Sequence, residues 1–308
     1  MSELKKFVEE GNVAELRAWL EKNAPREDGV DIRDFEDWEL PPGSSLVMEE
    51  IEEALFAATT HERPDCVAAI VELCPRAAAG MGSPDQNDWW DEGLNGETAL
   101  MLAAGNGNDP EALARCFDLL LPVSDLDALN LSGQSVLTRA AENGNLRAVK
   151  ILMERSDPLH VDSSSVSALM FAAFNGHADC VRALMPVSDA NHQEGADGRN
   201  ALMLAAFRGH AACVEILAPT TDLAAIDALG RTAFGLAVEM SSWACADALA
   251  SVENPELGRI VKEAGNEKMP RAAALLEAKE LGEEIAKRGF PSEREIGEAP
   301  SLRKARVF

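Results

Sequence analysis

The chain of 308 residues contains no tyrosine, and aromatic residues make up only 5% of it. Its apolar fraction of 46% therefore consists mainly of alanine, leucine, valine and methionine, a composition typical of small, closely packed helices. No uninterrupted apolar run reaches the roughly 18 residues of a membrane-spanning helix. The first residues lack the apolar region of a signal peptide, so we expect an intracellular, cytoplasmic protein; secretion as an effector without a cleaved signal stays open.

Basic residues are scarce as well. The 28 lysines and arginines face 53 acidic residues, which gives a formal net charge of −25, and residues 1–97 alone contain 24 acidic and 8 basic side chains. An acidic surface repels nucleic acid and anionic lipid and attracts cationic partners. We therefore expect a protein partner with a basic surface, and neither direct nucleic-acid binding nor membrane binding. The alternative is that the acidity only keeps the protein in solution.

Motifs of recognisable chemistry are absent from the sequence. It has no Cys-x-x-Cys pair, no glycine-rich phosphate loop, no His-Glu-x-x-His and no nucleophile elbow. We therefore expect no catalytic residues, no metal site and no cofactor, and we predict that the protein is not an enzyme.

What the sequence does contain is a short apolar box that occurs five times. The first residues of successive boxes lie 37, 32, 33 and 32 positions apart. A period near 33 residues indicates a stack of helix–turn–helix units, because one pair of short helices cannot bury its apolar face alone. The five copies are TALMLA (98–103), SVLTRA (135–140), SALMFA (167–172), NALMLA (200–205) and TAFGLA (232–237).

These units resemble the ankyrin-repeat family, whose unit begins Gly-x-Thr-Pro-Leu-His-x-Ala-Ala and continues with a Gly-His pair. Alanine or valine replaces the family's proline in the five boxes, and methionine or threonine replaces its first histidine in four of them. The matching residues are the opening glycines Gly96, Gly133, Gly198 and Gly230, the leucines Leu100, Leu137, Leu169 and Leu202, and the pairs Gly176-His177 and Gly209-His210.

The resemblance implies an all-α ankyrin-repeat solenoid of about six to seven helix–turn–helix units with a helical C-terminal cap. We expect residues 1–95 to hold degenerate N-terminal repeats with two long acidic-aromatic loops. Residues 96–252 hold the five clear repeats, and residues 253–308 form capping helices and a flexible tail. A coiled-coil partner site is the alternative role of the C-terminal helix.

Several residues whose side chains are often catalytic or metal-binding occupy equivalent positions in the repeat, where we expect them to have structural roles. We expect His177 and His210 to brace the turn between two helices by hydrogen bonding. The PVSD motif at 122–125 and 186–189, with its relative PTTD at 219–222, predicts a helix stop at proline and a local turn made by Ser or Thr and Asp. Five cysteines share one position early in the second helix, where we expect buried, reduced thiols. They are Cys66, Cys116, Cys180, Cys213 and Cys245.

The function that the resemblance implies is non-catalytic protein–protein recognition by a monomeric scaffold. We expect contacts through the concave face and the tips of the fingers, the loops that connect one unit to the next, because tip residues escape the packing that fixes the helices. The tips are residues 127–134, 162–165, 193–199 and 225–231. The candidate contacts in them are Asn130, Gln134, Asp197, Arg199, Asp227 and Arg231.

Two long connections, residues 24–45 and 75–95, combine aromatic with acidic residues. Long loops between short elements are usually functional or disordered. Tryptophan is a frequent interface hot spot, and an acidic rim steers a basic partner, so we expect both loops to bind. The alternative is that the aromatic residues cover the N-terminal repeats. The candidate contacts are Phe35, Trp38, Asp88, Trp89, Trp90 and Asp91.

Two other hypotheses remain open at this point. The acidic N-terminal half could mimic nucleic acid and inhibit a nucleic-acid-binding protein, which requires carboxylates at phosphate-like intervals along one face. A secreted effector acting on host proteins would differ in location more than in mechanism.

Overall fold

The computed structural model describes residues 3–23, 44–78, 96–105, 109–250, 261–262, 265 and 267–277. Within these ranges the chain is helical, and the one strand-like pairing is an isolated antiparallel bridge between Val161 and Ser167. No helix in the described part of the chain is long and apolar enough to cross a membrane.

Among the described residues up to 250, fourteen α-helices follow one another as seven pairs, each with a first and a second helix. The predicted all-α stack of helix–turn–helix units is therefore confirmed, at the upper end of the expected number. The pairs are α1 (Glu3–Glu10) and α2 (Val13–Asn23), α3 (Ser44–Thr60) and α4 (Pro64–Leu73), α5 (Ala99–Ala103) and α6 (Pro110–Leu120), α7 (Val136–Glu142) and α8 (Leu146–Leu152), α9 (Ala168–Asn175) and α10 (Ala178–Leu184), α11 (Ala201–Arg208) and α12 (Ala211–Leu217), and α13 (Ala233–Glu239) and α14 (Trp243–Ala248).

The helices form two layers. Each first helix packs against the first helices of the neighbouring units, in the order α1, α3, α5, α7, α9, α11 and α13. The second helices form the other layer, with α2 on α4, α4 on α6, and α8, α10, α12 and α14 in succession. Between α6 and α8, Arg147 Nη2 donates to both carboxylate oxygens of Asp118, at 2.6 and 2.8 Å.

The start of each box is an N-cap. A hydroxyl or amide oxygen accepts a hydrogen bond of 3.0–3.3 Å from the backbone N–H three residues later, which satisfies one of the free donors of a helix start. The capping residues are Thr98, Ser135, Ser167, Asn200 and Thr232. At the other end, Gly176 and Gly209 terminate α9 and α11 with a φ of 80°, a conformation that glycine adopts without steric penalty.

The helix α3 is longer than the two-turn first helix that the repeat predicts. It begins at Ser44, ten residues before the aligned apolar segment at Ala54. Ile51, Leu55 and Ala58 are buried at spacings of four and three residues, which places them on one helix face. The apolar stripe therefore extends past the repeat's own box and lengthens the helix.

All six cysteines are buried as free thiols. Burial raises the pKa of Cys66, and it raises the pKa of Cys116, Cys180, Cys213 and Cys245 to about 11. Uncharged, desolvated thiols of this kind pack as small apolar side chains, as the repeat register predicts. No cluster of metal-binding side chains occurs among the described residues.

Beyond α14 the structure describes a helix over residues 270–277, which begins at Pro270. Met269 and Ala272 are fully buried, so this segment packs on the last helix pair. Proline suits the first turn of a helix, where the missing N–H would have no intrahelical partner.

Candidate binding surface

Four fingers connect the second helix of one unit to the first helix of the next. They are finger 1 (residues 125–134), finger 2 (157–166), finger 3 (189–199) and finger 4 (222–231). Each begins with an aspartate whose Oδ1 accepts a hydrogen bond of 2.9 Å from the backbone N–H two residues later. These aspartates are Asp125, Asp157, Asp189 and Asp222.

The turn predicted from PVSD is confirmed for the aspartate but not for the serine. In the described part of the chain the buried hydroxyls of Ser124 and Ser188 have no hydrogen-bond partner. In the PTTD relative, Thr221 donates instead to the carbonyl of Leu217, at 2.9 Å. The aspartate therefore fixes the entry to each finger.

A polar side chain halfway along each finger holds the tip. Asn130 Oδ1 accepts from the N–H groups of Ser132 and Gln134, and Asn130 Nδ2 donates to Gln134 Oε1, all within 3.0 Å. Asp227 Oδ1 accepts from the N–H groups of Leu229 and Arg231, at 3.0 and 2.9 Å. Buried polar atoms need such partners, because an unpaired one destabilises the fold.

The sequence argument that tip residues escape packing is therefore wrong for three of the six candidates. Asn130, Gln134 and Asp227 are buried, and their hydrogen bonds hold the finger backbone. Their contact with a partner stays an untested prediction. Of the other three, Asp197 is the most exposed.

Asp227 joins fingers 3 and 4 electrostatically. Its Oδ2 accepts from Arg231 Nε and Nη2, at 2.9 and 2.8 Å, and lies 3.7 Å from Arg199 Nε. Burial acts to raise the pKa of Asp227, but the hydrogen bonds from the side chain and backbone of Arg231 and from Leu229 outweigh it and lower the pKa to about 2. The carboxylate is therefore charged at neutral pH and holds both arginines in place.

Direct hydrogen bonds also connect neighbouring fingers. The N–H of Ser163 donates to the carbonyl of Ser132 at 3.0 Å, and the N–H of Gly195 donates to Ser164 at 3.0 Å. The N–H of Ala228 donates to Asp197 at 2.8 Å. One backbone bond therefore links each finger to the next, and the four fingers form a single rigid edge.

The Gly-His pairs connect units rather than helices of one unit. His177 Nε2 donates to the carbonyl of Glu142 at 3.0 Å, and His210 Nε2 donates to Phe174 at 2.9 Å. Both acceptors belong to the first helix of the preceding unit. The predicted bracing role is confirmed, with the correction that each ring lies against the glycine of the preceding turn, where no Cβ would fit.

The exposed side of the first-helix layer carries two arginine–phenylalanine stacks. The guanidinium of Arg208 lies 4.5 Å from the ring centroid of Phe174, and Arg199 lies at the same distance from Phe207. Phe174 and Phe207 are half-buried and Arg208 is exposed. No carboxylate of the described residues lies within ion-pair distance of Arg208.

A family model of ankyrin repeats, in three copies, matches residues 111–192 and 169–258. This chain is an ankyrin-repeat protein. The matched residues include all four fingers and every helix from α6 to α14, and the helix pairs before them extend the same stack. Comparison with curated protein sequences gives no match. Ankyrin repeats are generally protein–protein interaction modules.

Sequence reasoning missed two structural residues of this ankyrin-repeat protein. His160 Nε2 donates to the carbonyl of Gly133 at 2.7 Å, and His192 Nε2 donates to Ser165 at 2.8 Å. Each reaches back to the preceding finger. The sequence does contain a pattern that marks both histidines: each follows the first aspartate of its finger by three positions.

The six candidates of the two long loops lie outside the described residues. They are Phe35, Trp38, Asp88, Trp89, Trp90 and Asp91. Like the fingers, these loops each connect a second helix to the next first helix, α2 to α3 and α4 to α5. Their role as contacts stays a prediction.

Proposed function

We propose that this ankyrin-repeat protein binds a protein partner without catalysis, through the exposed side of the first-helix layer and the fingers. The observation that carries the proposal is the pair of arginine–phenylalanine stacks at Phe174 and Phe207. Aromatic residues, phenylalanine among them, and arginine are enriched in protein–protein interfaces relative to the rest of the protein surface. Here they lie half-exposed on a scaffold whose interior is already filled.

The partner surface that we propose is basic. The fingers contain nine aspartates and glutamates against two arginines, and both arginines already have acidic partners at Asp197 and Asp227. The first aspartate of every finger is exposed. An edge with this charge raises the rate of encounter with a cationic protein, and the gain falls as salt rises.

We extend the proposed contact surface to the two long loops. Their tryptophans lie among acidic residues, and the chain enters and leaves each loop at the same kind of connection as a finger. Trp38, Trp89 and Trp90 would then act as apolar anchors within an acidic rim, which is the arrangement of many interface hot spots.

Nucleic-acid mimicry by the acidic N-terminal half stays a prediction, but the first aspartates of the fingers do not extend it to the finger edge. The first aspartates of the fingers recur once per unit, and stacked helices lie about 10 Å apart. One DNA strand carries a phosphate about every 3.4 Å along the helix axis. These four aspartates are thus about three times too sparse to imitate it.

Affinity capture from extracts of the source cells, read by quantitative mass spectrometry, tests the proposed function. We expect a protein captured by the wild type to be lost with Phe174→Ala/Phe207→Ala. Its capture should survive Ile151→Ala/Ile216→Ala, which removes two half-buried side chains from the second-helix layer. Thermal unfolding of both variants checks that the stack persists.

A second comparison tests the long loops. Trp89→Ala/Trp90→Ala should weaken capture of the same protein, and raising the salt concentration should weaken it further. If the Phe174→Ala/Phe207→Ala variant retains every protein that the wild type captures, the proposed contact surface is wrong.

A further inference from the structure

The exposed apolar side chains of this protein are concentrated in the fingers. Seven large apolar side chains of the described residues are exposed, and six of them lie in the fingers. The seventh, Met240, follows α13. The six, which we call the finger apolar set, are Leu129 and Leu131 in finger 1, Leu159 in finger 2, and Leu223, Ile226 and Leu229 in finger 4.

The exposed apolar side chains are not the residues that hold the finger backbone. The buried polar residues hold the finger backbone, as at Asn130 and Asp227, while Leu229 beside Asp227 is 75% exposed. Leu131 and Leu159 are 57% and 59% exposed. Fingers 1 and 4 each carry at least two of these side chains a few residues apart, and exposed apolar patches rimmed by polar groups are typical of interaction sites.

The finger apolar set is held in place before any partner arrives. The backbone bonds from Ser163 to Ser132, from Gly195 to Ser164 and from Ala228 to Asp197 fix each finger on its neighbour. The side chain of Gln193 adds a bond to the carbonyl of Ile226, at 2.9 Å. A surface already ordered in this way loses less conformational entropy on binding.

The charged residues around the finger apolar set determine which kind of partner can bind there. The exposed carboxylates of Asp125, Asp157, Asp189 and Asp222 recur once per finger. The arginines of the fingers are engaged with Asp197 and Asp227. A second copy of this chain, with a net charge of −25, would be repelled, whereas a segment with apolar and basic side chains is complementary.

The spacing of the fingers favours a helix over a strand. Neighbouring units lie about 10 Å apart, which equals about seven residues of α-helix and returns to the same helix face. A step of three residues along a strand also covers about 10 Å, but it places the side chains of residues i and i+3 on opposite faces. A helix of about 20 residues spans the four fingers.

We propose, as an extension of the proposed function, that the fingers bind a basic amphipathic helix of the partner protein. Its apolar stripe lies on Leu129, Leu131 and Leu159 at one end and on Ile226 and Leu229 at the other. Its lysines and arginines flank that stripe and face the first aspartates of the fingers. Finger 3, whose exposed Gln193 replaces the apolar residue, contacts a polar position of the helix.

A synthetic peptide tests this site without knowledge of the partner. The probe is an amphipathic peptide of about 21 residues made of identical leucine–lysine heptads, with leucines at the first and fourth positions. A scrambled peptide of the same composition scatters its leucines over all helix faces. Fluorescence anisotropy at about 0.15 M salt measures binding of both to the full chain, and circular dichroism measures the helix content of the bound peptide.

We expect the amphipathic peptide to bind the wild type at least about tenfold more tightly than the scrambled one, and to become helical on binding. Leu131→Ser/Leu159→Ser/Leu229→Ser should weaken its binding by about tenfold per leucine. The matched control Met240→Ser removes an exposed apolar side chain outside the fingers and should bind like the wild type.

Three results would overturn the proposal. The triple leucine variant could bind the peptide as well as the wild type, or the scrambled peptide could bind equally, which would leave charge alone as the cause. Sedimentation could instead show a wild-type dimer that the triple variant abolishes, which would make a second copy the occupant. If the amphipathic peptide does not bind while capture from the cell extract still depends on Phe174 and Phe207, the proposed function stands and only the proposed helix-binding site is wrong.

Discussion

Asp247 on α14 accepts a hydrogen bond of 2.7 Å at its Oδ1 from the backbone N–H of Ala272, 25 residues later. Its Oδ2 accepts a second, of 3.2 Å, from the N–H of Arg271. Met269, which precedes the helix at 270–277, has no side-chain oxygen that could cap it. A residue of the last repeat therefore caps the start of the C-terminal helix and attaches it to the stack.

Removing this cap should loosen the C-terminal helix. We expect Asp247→Ala to reduce the free energy of unfolding by about 1 kcal/mol, a typical value for a lost N-cap. Hydrogen exchange of the Arg271 and Ala272 amides should accelerate more than exchange within α9. Asp179→Ala, which removes an exposed aspartate from α10, is the control. Unchanged exchange at both amides would show that the cap does not hold the helix.

Two serines occupy turn positions where neighbouring units have glycine. Ser165 has a φ of 62° in finger 2, and Ser241 has a φ of 55° after α13. A side chain in this left-handed region is strained, so Ser165→Gly and Ser241→Gly should each stabilise the protein by about 0.5–1 kcal/mol in urea unfolding. Ser164→Gly, at an exposed neighbour without a positive φ, should stabilise nothing. A lower urea midpoint for both glycine variants would contradict the strain argument.

Two glycines with the same backbone conformation should respond differently to alanine. Gly176 and Gly230 have φ values of 80° and 76°, but a Cβ at Gly176 would lie 2.5 Å from the ring of His210, while nothing lies within 4 Å at Gly230. Gly230→Ala should destabilise by about 1–2 kcal/mol from strain alone. Gly176→Ala should add about 1 kcal/mol more, because His210 loses its bond to the carbonyl of Phe174.

The double variant Gly176→Ala/His210→Ala isolates the contact between the two residues. Its loss of stability should be smaller than the sum of the two single losses. The double variant has no imidazole ring for the new Cβ to meet, and the bond from His210 to Phe174, which each single variant loses, is lost only once. Additive losses in thermal or urea unfolding would show that the contact with His210 is not the reason why Gly176→Ala is destabilising.

The Asp227 carboxylate should make stability depend on pH in acid. Because its pKa falls from 3.8 to about 2 in the folded protein, its contribution is complete above the unfolded value of 3.8 and is lost as the pH falls through about 2. Asp227→Asn should therefore lower the urea midpoint most at neutral pH, and the difference from the wild type should shrink as the pH drops below 3.8. Asp222→Asn, an exposed finger aspartate that keeps its acceptor oxygen, serves as the control. A difference that grows in acid would contradict this sign.

The unit and its repetition can be predicted from the amino-acid sequence alone. The boxes at Thr98, Ser135, Ser167, Asn200 and Thr232 recur with a period near 33 residues, and each carries its own N-cap. The leucine position of the first four boxes is buried. These features depend on contacts within a few residues or on the equivalent face of the next unit. The spacing of residues along the chain is therefore enough to predict these features.

The exposure of the tip residues, by contrast, follows from how the units stack in three dimensions. Asn130 and Asp227 resemble surface residues in the sequence, yet they are buried, whereas Leu131 and Leu229 are exposed. The bonds that order the fingers join residues about one unit apart, such as Ser132 with Ser163 and Asp197 with Ala228. Whether such atoms meet depends on how one unit stacks on the next, and no local periodicity encodes that geometry.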